Sequence, residues 1–173
     1  SDAYAVFPNI DVQNGRYLVG WENGDDAVQY MQGDSNGTQG EVSTIENNGY
    51  ARVLWEPDGE AHVYSHQRSP LELQRDGRSI SGLGNTLFAN AARGDGTVLF
   101  AYYRLQSGYK NDVYYGSIDV DGEQTADILL ASDPPAAPYR PAVTHVFDNM
   151  YFVAWSQGEN PDFALWGQFV TVE

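Results

Sequence analysis

Eight Asn-Gly or Asp-Gly dipeptides, beginning at positions 14, 23, 36, 48, 58, 76, 95 and 121, punctuate this 173-residue chain. Such pairs suit tight hairpins, because both central residues of a type I′ turn need positive φ and Asn, Asp and Gly tolerate it best. Short segments rich in Val, Tyr, Phe and Trp run between them, several alternating with period two, and none carries a long helical stripe. The chain therefore reads as all-β.

Self-comparison adds a repeat. Tyr17-Leu18-Val19-Gly20-Trp21 matches Tyr151-Phe152-Val153-Ala154-Trp155 position for position, and Ala51-Arg52-Val53-Leu54-Trp55 and Val98-Leu99-Phe100-Ala101-Tyr102 are looser copies. Each copy has a strand before it and a strand after it, the latter seen in Ala27–Tyr30, His62–Tyr64, Asp112–Gly116 and Asp162–Gly167. The copies end at 21, 55, 102 and 155, giving intervals of 34, 47 and 53 residues, against about 40 to 45 for a four-stranded propeller blade. The expected fold is a small β-propeller of about four blades, the alternative being a two-sheet β-sandwich. Residues 1–173 are read as one domain with units near 8–40, 41–83, 84–134 and 135–173. The apolar segment Ala3–Phe7 is expected to supply the missing outer strand of the last unit, so that residues 1–7 complete it and cover its open edge.

The order Pro-x-Val, turn, Tyr-[Leu/Phe]-Val-x-Trp, loop, aromatic-Gly-[Gln/Ser], Asp-Gly resembles the repeats of secreted bacterial β-propeller proteins. It is clearest at Asn111–Gly122 and Pro141–Phe169 and covers about two thirds of the chain, the second unit departing from it. The resemblance implies the fold and an extracellular, cell-surface or secreted setting, and it transfers no active residue.

Charge narrows the partners. With 9 Lys plus Arg against 24 Asp plus Glu, the formal charge of −15 repels phosphate backbones and anionic lipid, so nucleic acid is excluded as an expected partner. No apolar run approaches the roughly 20 residues of a membrane helix, and no membrane insertion is expected. The absence of cysteine removes disulfides, zinc-thiolate sites and thiol catalysis. The opening Ser1-Asp2-Ala3, without Met or an apolar leader, reads as a mature or excised product, with secretion as the working hypothesis.

Candidate chemistry is sparse. Asp119 and Asp121, in Asp119-x-Asp121-Gly122-Glu123, form a candidate metal site, with Ca²⁺ as the ion, although a plain hairpin turn explains the same residues. No other cofactor is expected. His62, Tyr64 and His66 alternate along one strand and so share a face, from which a metal could be held with a third ligand such as His145. No nucleophile-elbow, metalloprotease or phosphate-loop motif occurs, and catalytic residues are not nominated. The 12 Tyr, 7 Phe and 4 Trp offer flat faces with polar handles. Those at the repeat position, Trp21, Trp55, Tyr102 and Trp155, are read as core. Tyr109, Tyr139 and Arg140 in variable loops, with Asp26 and Asp112 as hydrogen-bond acceptors, are the expected ligand contacts. The leading functional reading is a non-catalytic module that recognises glycan or another surface ligand through loops at one end of the propeller. The alternatives are a polysaccharide-acting glycosidase or lyase, and a structural or adhesive unit that self-associates through open strand edges.

Overall fold

A computed structural model describes residues 5–24, 26–84, 86–105, 111–119, 121–131, 141–159 and 162–172. The chain divides into two compact units, Ser1–Gly84 and Asn85–Glu173, where the repeats suggested one domain. All regular structure among the described residues is β. In the first unit, sheet one contains β1 (Ala5–Gln13), β2 (Arg16–Asn23), β3 (Ala27–Asp34) and β4 (Ser43–Glu46), and sheet two contains β5 (Asn48–Trp55), β6 (Ala61–Arg68), β7 (Leu71–Arg75) and β8 (Arg78–Gly84). In the second unit, sheet three contains β9 (Thr86–Arg93), β10 (Thr97–Leu105), β11 (Asn111–Asp119) and β12 (Gln124–Ala131), and sheet four contains β13 (Ala142–Phe147), β14 (Met150–Glu159) and β15 (Asp162–Thr171). Within every sheet the strands pair antiparallel in chain order, each sheet being one meander. Four such blades make the fold a small β-propeller of the kind the repeats predict.

Local chemistry explains the hairpins. Asn14 and Gly15 (φ 51° and 74°) and Asp76 and Gly77 (φ 53° and 74°) take left-handed backbone in two-residue turns, as their side chains allow. The pair Asn48-Gly49 departs from this rule. The left-handed residue is Asn47 (φ 55°), and Asn48 begins β5, where its buried amide accepts from Ser65 Oγ at 2.8 Å. A buried polar side chain with partners fits a strand as well as a turn, and the dipeptide alone does not distinguish the two.

Three expectations are corrected. Ala5 and Val6 pair with Asn23 and Glu22, so this segment opens sheet one and does not complete the last unit; residues 1–4 lie outside the described set. The two-residue turn at Asn14-Gly15 fixes β1 and β2 as one ladder, and the apolar run follows that ladder past a bulge after Val6. The first unit extends beyond residue 40, because Ser43–Glu46 pairs with β3. Finally, Ala51–Trp55 is the first strand of its sheet, whereas Tyr17–Trp21, Val98–Tyr102 and Tyr151–Trp155 lie on second strands. That offset of one strand produces the short 34-residue interval. The second strands begin at 16, 61, 97 and 150, intervals of 45, 36 and 53 residues.

Each unit is held by two sheets stacked face to face. In the first, Leu18 and Val28 of sheet one bury against Val53, Trp55 and Val63 of sheet two. Gly20 makes that approach possible, since a Cβ there would lie 2.5 Å from Val53 Cγ1. Asn9 and Asp11 of β1 reach across to the backbone of β5. In the second unit, Leu99, Ala101 and Val113 of sheet three bury against Tyr151, Val153 and Trp155 of sheet four.

These contacts reveal a polarity. Aligning the repeats places Leu18 and Gly20 of β2 beside Leu99 and Ala101 of β10, and both pairs face the following sheet of their unit. We call this the back of a blade. Tyr151, Val153 and Trp155 lie on the opposite face of β14, its front, and meet the preceding sheet. Both stacks therefore run back to front. The same alignment puts Trp21 on the front of sheet one, where it is only half-buried, while Trp155 is 6% exposed. Position in the blade is equivalent; surroundings are not, and the expectation that Trp21 is a core residue is corrected accordingly.

Candidate functional site

Among the described residues one turn occurs three times, and one of its occurrences leads to a dense polar cluster. In Asp34-x-Asn36-Gly37-Thr38 the first residue's N–H donates to the fifth residue's carbonyl, and the glycine N–H donates back to the first carbonyl. Asp119-x-Asp121-Gly122-Glu123 and Glu56-x-Asp58-Gly59-Glu60 have the same pair of bonds. In the two turns that begin with Asp, the carboxylate caps the turn from inside. Asp34 Oδ1 accepts from the N–H of Asn36 and Thr38, and Asp119 Oδ1 accepts from Asp121 and Glu123 at 3.0 and 2.9 Å. The Asp119–Asp121 turn thus has the bonding of a plain hairpin closure.

Glu56 breaks the pattern by one methylene. Its longer side chain leaves the turn, Asp58 Oδ1 takes over the N–H of Glu60 at 2.8 Å, and the Glu56 carboxylate enters the back of sheet two, 2% exposed as a residue. There Tyr64 Oη donates to Oε1 at 2.5 Å, and Arg75 donates through Nε to Oε1 and through Nη2 to Oε2, a forked pair. Arg75 Nη2 also lies 2.9 Å from His62 Nε2, and His62 Nδ1 lies 2.6 Å from Asp76 Oδ2. When the imidazole is neutral, this arrangement puts its proton on Nδ1, given to Asp76, and lets Nε2 accept from Arg75. Burial opposes an imidazolium here, but the Asp76 hydrogen bond and the charge of Glu56 outweigh it and raise the His62 pKa. Burial likewise opposes the Asp76 carboxylate, and its bonds from His62 and the Val63 N–H outweigh that to hold its pKa below the usual range.

The sign of the resulting pH dependence follows. A histidine whose folded pKa lies above its unfolded value, about 6.5, adds stability that is full below that value and is lost as pH rises through the folded pKa. Urea unfolding should show a larger His62 contribution at pH 6 than at pH 9, and His62→Gln should flatten that difference. A wild-type difference that survives unchanged in the variant refutes the assignment.

Among the described residues, Glu56, Asp58 and His62 offer ligand atoms within 4.8 Å of one another. Arg75 already bonds both Glu56 oxygens and His62 Nε2, so the guanidinium fills the place a metal cation would take. The other histidines do not join this cluster. His66 is buried and stacks on Tyr50, with ring centroids 4.9 Å apart. His145 lies on β13 in the second unit, donates from Nε2 to the Asp148 carbonyl at 2.8 Å and sits edge-on to Tyr151.

A second cluster lies on sheet three and contains Asp112. Tyr102, fully buried, donates to Asp127 Oδ1 and accepts from the Asp127 N–H, both at 2.8 Å. Asp127 holds that geometry with left-handed backbone (φ 61°) in an irregular stretch of the β11–β12 ladder. Arg104 donates to the same carboxylate and lies 5.1 Å above the ring of Tyr114, which in turn stacks on Tyr102 with centroids 5.8 Å apart. Tyr114 Oη points to Asp112 Oδ2 at 3.3 Å, across the ladder from Arg104. Burial first, then the charge of Asp112, raises the Tyr114 pKa, so the phenol stays protonated as a donor. The half-buried Tyr114, Arg104 and Asp112 combine a flat face, a cation and an acceptor at one end of the sheet.

Of the sequence-nominated contacts, Asp112 enters this cluster. Asp26 lies in the first unit in the turn before β3, exposed, with left-handed backbone (φ 58°) and its carbonyl accepting from the Asn48 N–H. Tyr109, Tyr139 and Arg140 fall outside the described residues. Arg104, Tyr114 and Asp127 were not nominated. Asp127 gives no local signal, while Arg104 and Tyr114 follow once β10 and β11 are paired, since cross-strand register brings them beside Asp112.

No protein-family model matches the chain, and no curated protein matches it either. Eleven chains of solved structures match, among them the following two. A triple arginine-to-alanine mutant of AofleA from Arthrobotrys oligospora superposes with a TM-score of 0.51 at 14% identity, over 94% of this chain and 56% of its own. The GH43 endo-arabinanase from Bacillus licheniformis gives 0.48 at 15% identity, over 94% and 72%. The chain thus spans little more than half the length of AofleA, and at this identity the likeness concerns the fold.

Proposed function

We propose that this chain is a non-catalytic binding module for glycan in an extracellular setting, and that Tyr114, Arg104 and Asp112 form part of its contact surface. The supporting observation is the half-buried Tyr114 ring set beneath the Arg104 guanidinium and beside the Asp112 carboxylate, with Asp127 and Tyr102 fixing the arginine from behind. Sugar rings present axial C–H groups that pack on an aromatic face, and hydroxyl pairs that bridge an acceptor and a donor set side by side. Such a platform is rigid before ligand arrives, which lowers the ordering cost of binding.

A glycan array followed by calorimetry on the strongest hit tests the proposal. Tyr114→Ala and Asp112→Asn should each weaken that hit about tenfold or more, roughly 1.4 kcal/mol each, with the unfolding transition retained. An array without binders removes the glycan reading.

One observation favours an enzyme as the second reading: the carboxylates of Glu56 and Asp76 flank a single imidazole. Because both Glu56 oxygens are bonded to Arg75 and Tyr64, the cluster serves the fold more directly than it serves proton transfer. Reducing-end release from any member of a broad polysaccharide panel, abolished by Asp76→Asn, would transfer the conclusion to a glycoside hydrolase.

A further inference from the structure

Left-handed backbone sets two residues of the first unit apart. Eight described residues other than glycine adopt it, and six of them, Asn14, Asp26, Asn47, Asp76, Asp127 and Asp148, have the short polar side chains that tolerate it. The other two are aromatic, Phe7 (φ 52°) and Tyr50 (φ 51°), and their ring centroids lie 5.3 Å apart. Such backbone under a bulky side chain is strained, and it persists only where the surrounding structure holds it. Both residues sit in bulges on the first strands of stacked sheets, since the register of β1 slips between Val6 and Asn9 and that of β5 between Gly49 and Arg52. A bulge re-aims a side chain, and these two bring one ring from each strand together across the seam between β1 and β5.

Core packing does not offset the strain at Phe7, which is 50% exposed. The backing behind it is firm. Tyr50 stacks on buried His66 with centroids 4.9 Å apart, and the Tyr50 N–H donates to Oε2 of buried Glu22 at 3.3 Å. Three rings thus form a ladder from surface to interior. Asp26, a sequence-nominated acceptor, is exposed nearby, its carbonyl accepting from the N–H of Asn48, two residues before Tyr50. We infer that Phe7 and Tyr50 form a second saccharide contact, located in the first unit. An exposed aromatic face held rigid beside a carboxylate suits the C–H face and hydroxyls of a neutral sugar ring. An acidic sugar would be repelled by a chain of formal charge −15. The ligand class rests on the glycan reading above, while the site stands on ring and backbone geometry independent of Tyr114.

Asparagine, which this fold already uses at left-handed positions, separates a binding role from a structural one. In ¹H–¹⁵N titrations with the free disaccharide of the strongest glycan-array hit, wild-type amides should shift around Tyr50 and, separately, around Tyr114. Phe7→Asn should weaken the response around Tyr50 by about tenfold or more and leave that around Tyr114 in place. Its melting temperature should be unchanged or raised, because strain is relieved and the ring was half-exposed. Tyr50→Asn should remove the same response at a lower melting temperature, the His66 stack being lost with it. Tyr114→Ala should do the converse and clear only its own set of shifts. If Phe7→Asn lowers the melting temperature sharply while the shifts around Tyr50 survive, the ring is structural and the inference falls. Wild-type shifts confined to Tyr114 also overturn it and leave the Tyr114 site standing; shifts confined to Tyr50 do the reverse. An array without binders removes both.

Discussion

Glu56→Ala should lower the free energy of unfolding by about 3 kcal/mol, the lower end of the range for breaking a buried ion pair from one side. The loss has three parts. Arg75, its side chain 27% exposed, is left without the carboxylate it forks onto, and its remaining water contact keeps the cost from rising further. Tyr64, fully buried, loses the acceptor for its hydroxyl. His62 loses the nearby negative charge that helps raise its pKa. Glu56→Asp separates the charge from its placement. The shorter carboxylate suits the inward cap seen at Asp34 and Asp119, so it should return to the N–H groups of Asp58 and Glu60 and abandon Arg75. A stability close to that of Glu56→Ala is then expected despite the conserved charge. Urea denaturation of the three proteins measures this, and a loss below 1 kcal/mol for the alanine variant would show that the network contributes little.

The Glu56 cluster also shows what was legible beforehand. The turn was visible as Asp58-Gly59, and so was the suggestive alternation of His62, Tyr64 and His66. The partners were not, because Arg75 and Asp76 come from β7 and the turn after it, and their approach depends on the β6–β7 register, in which Tyr64 faces Arg75. Glu56 itself gave no distinctive signal, because Glu46-Asn47-Asn48-Gly49 has the same pattern and yet opens a strand. Repeat matching located three second strands correctly and misplaced Trp55 by one strand, since Leu-Trp after alternating residues satisfies a first strand equally well. Trp21 and Trp155 mark the deeper limit. Their pentapeptides match, yet one tryptophan is half-buried and the other is in the core. Burial on a blade face is decided by whichever sheet lies against it, and no local pattern encodes that neighbour.

The cross-sheet clamp from β1 was invisible for the same reason and carries the second large effect. Asn9 Nδ2 donates to the Ala51 carbonyl and Asn9 Oδ1 accepts from the Val53 N–H, both at 2.8 Å, while Asp11 Oδ2 accepts from the Trp55 N–H at 2.8 Å. These side chains act as a surrogate strand: they satisfy the β5 groups that point away from β6, at residues whose side chains are core. Asn9→Ala should cost about 2 to 3 kcal/mol, because it strands a carbonyl and an N–H together in a stack too tight to admit Cβ at Gly20. Asn9→Asp should do no better, since a carboxylate accepts from Val53 but repels the Ala51 carbonyl. Asp11→Asn keeps its acceptor and should be mild; Asp11→Ala should cost about 1 to 2 kcal/mol. Amide hydrogen exchange resolves the two residues individually. Protection at Val53 should fall at least tenfold in Asn9→Ala with Trp55 less affected, and the order should reverse in Asp11→Ala. If both amides keep wild-type protection in both variants, the stacking of sheet one on sheet two rests on the apolar contacts of Leu18, Val53 and Trp55 alone.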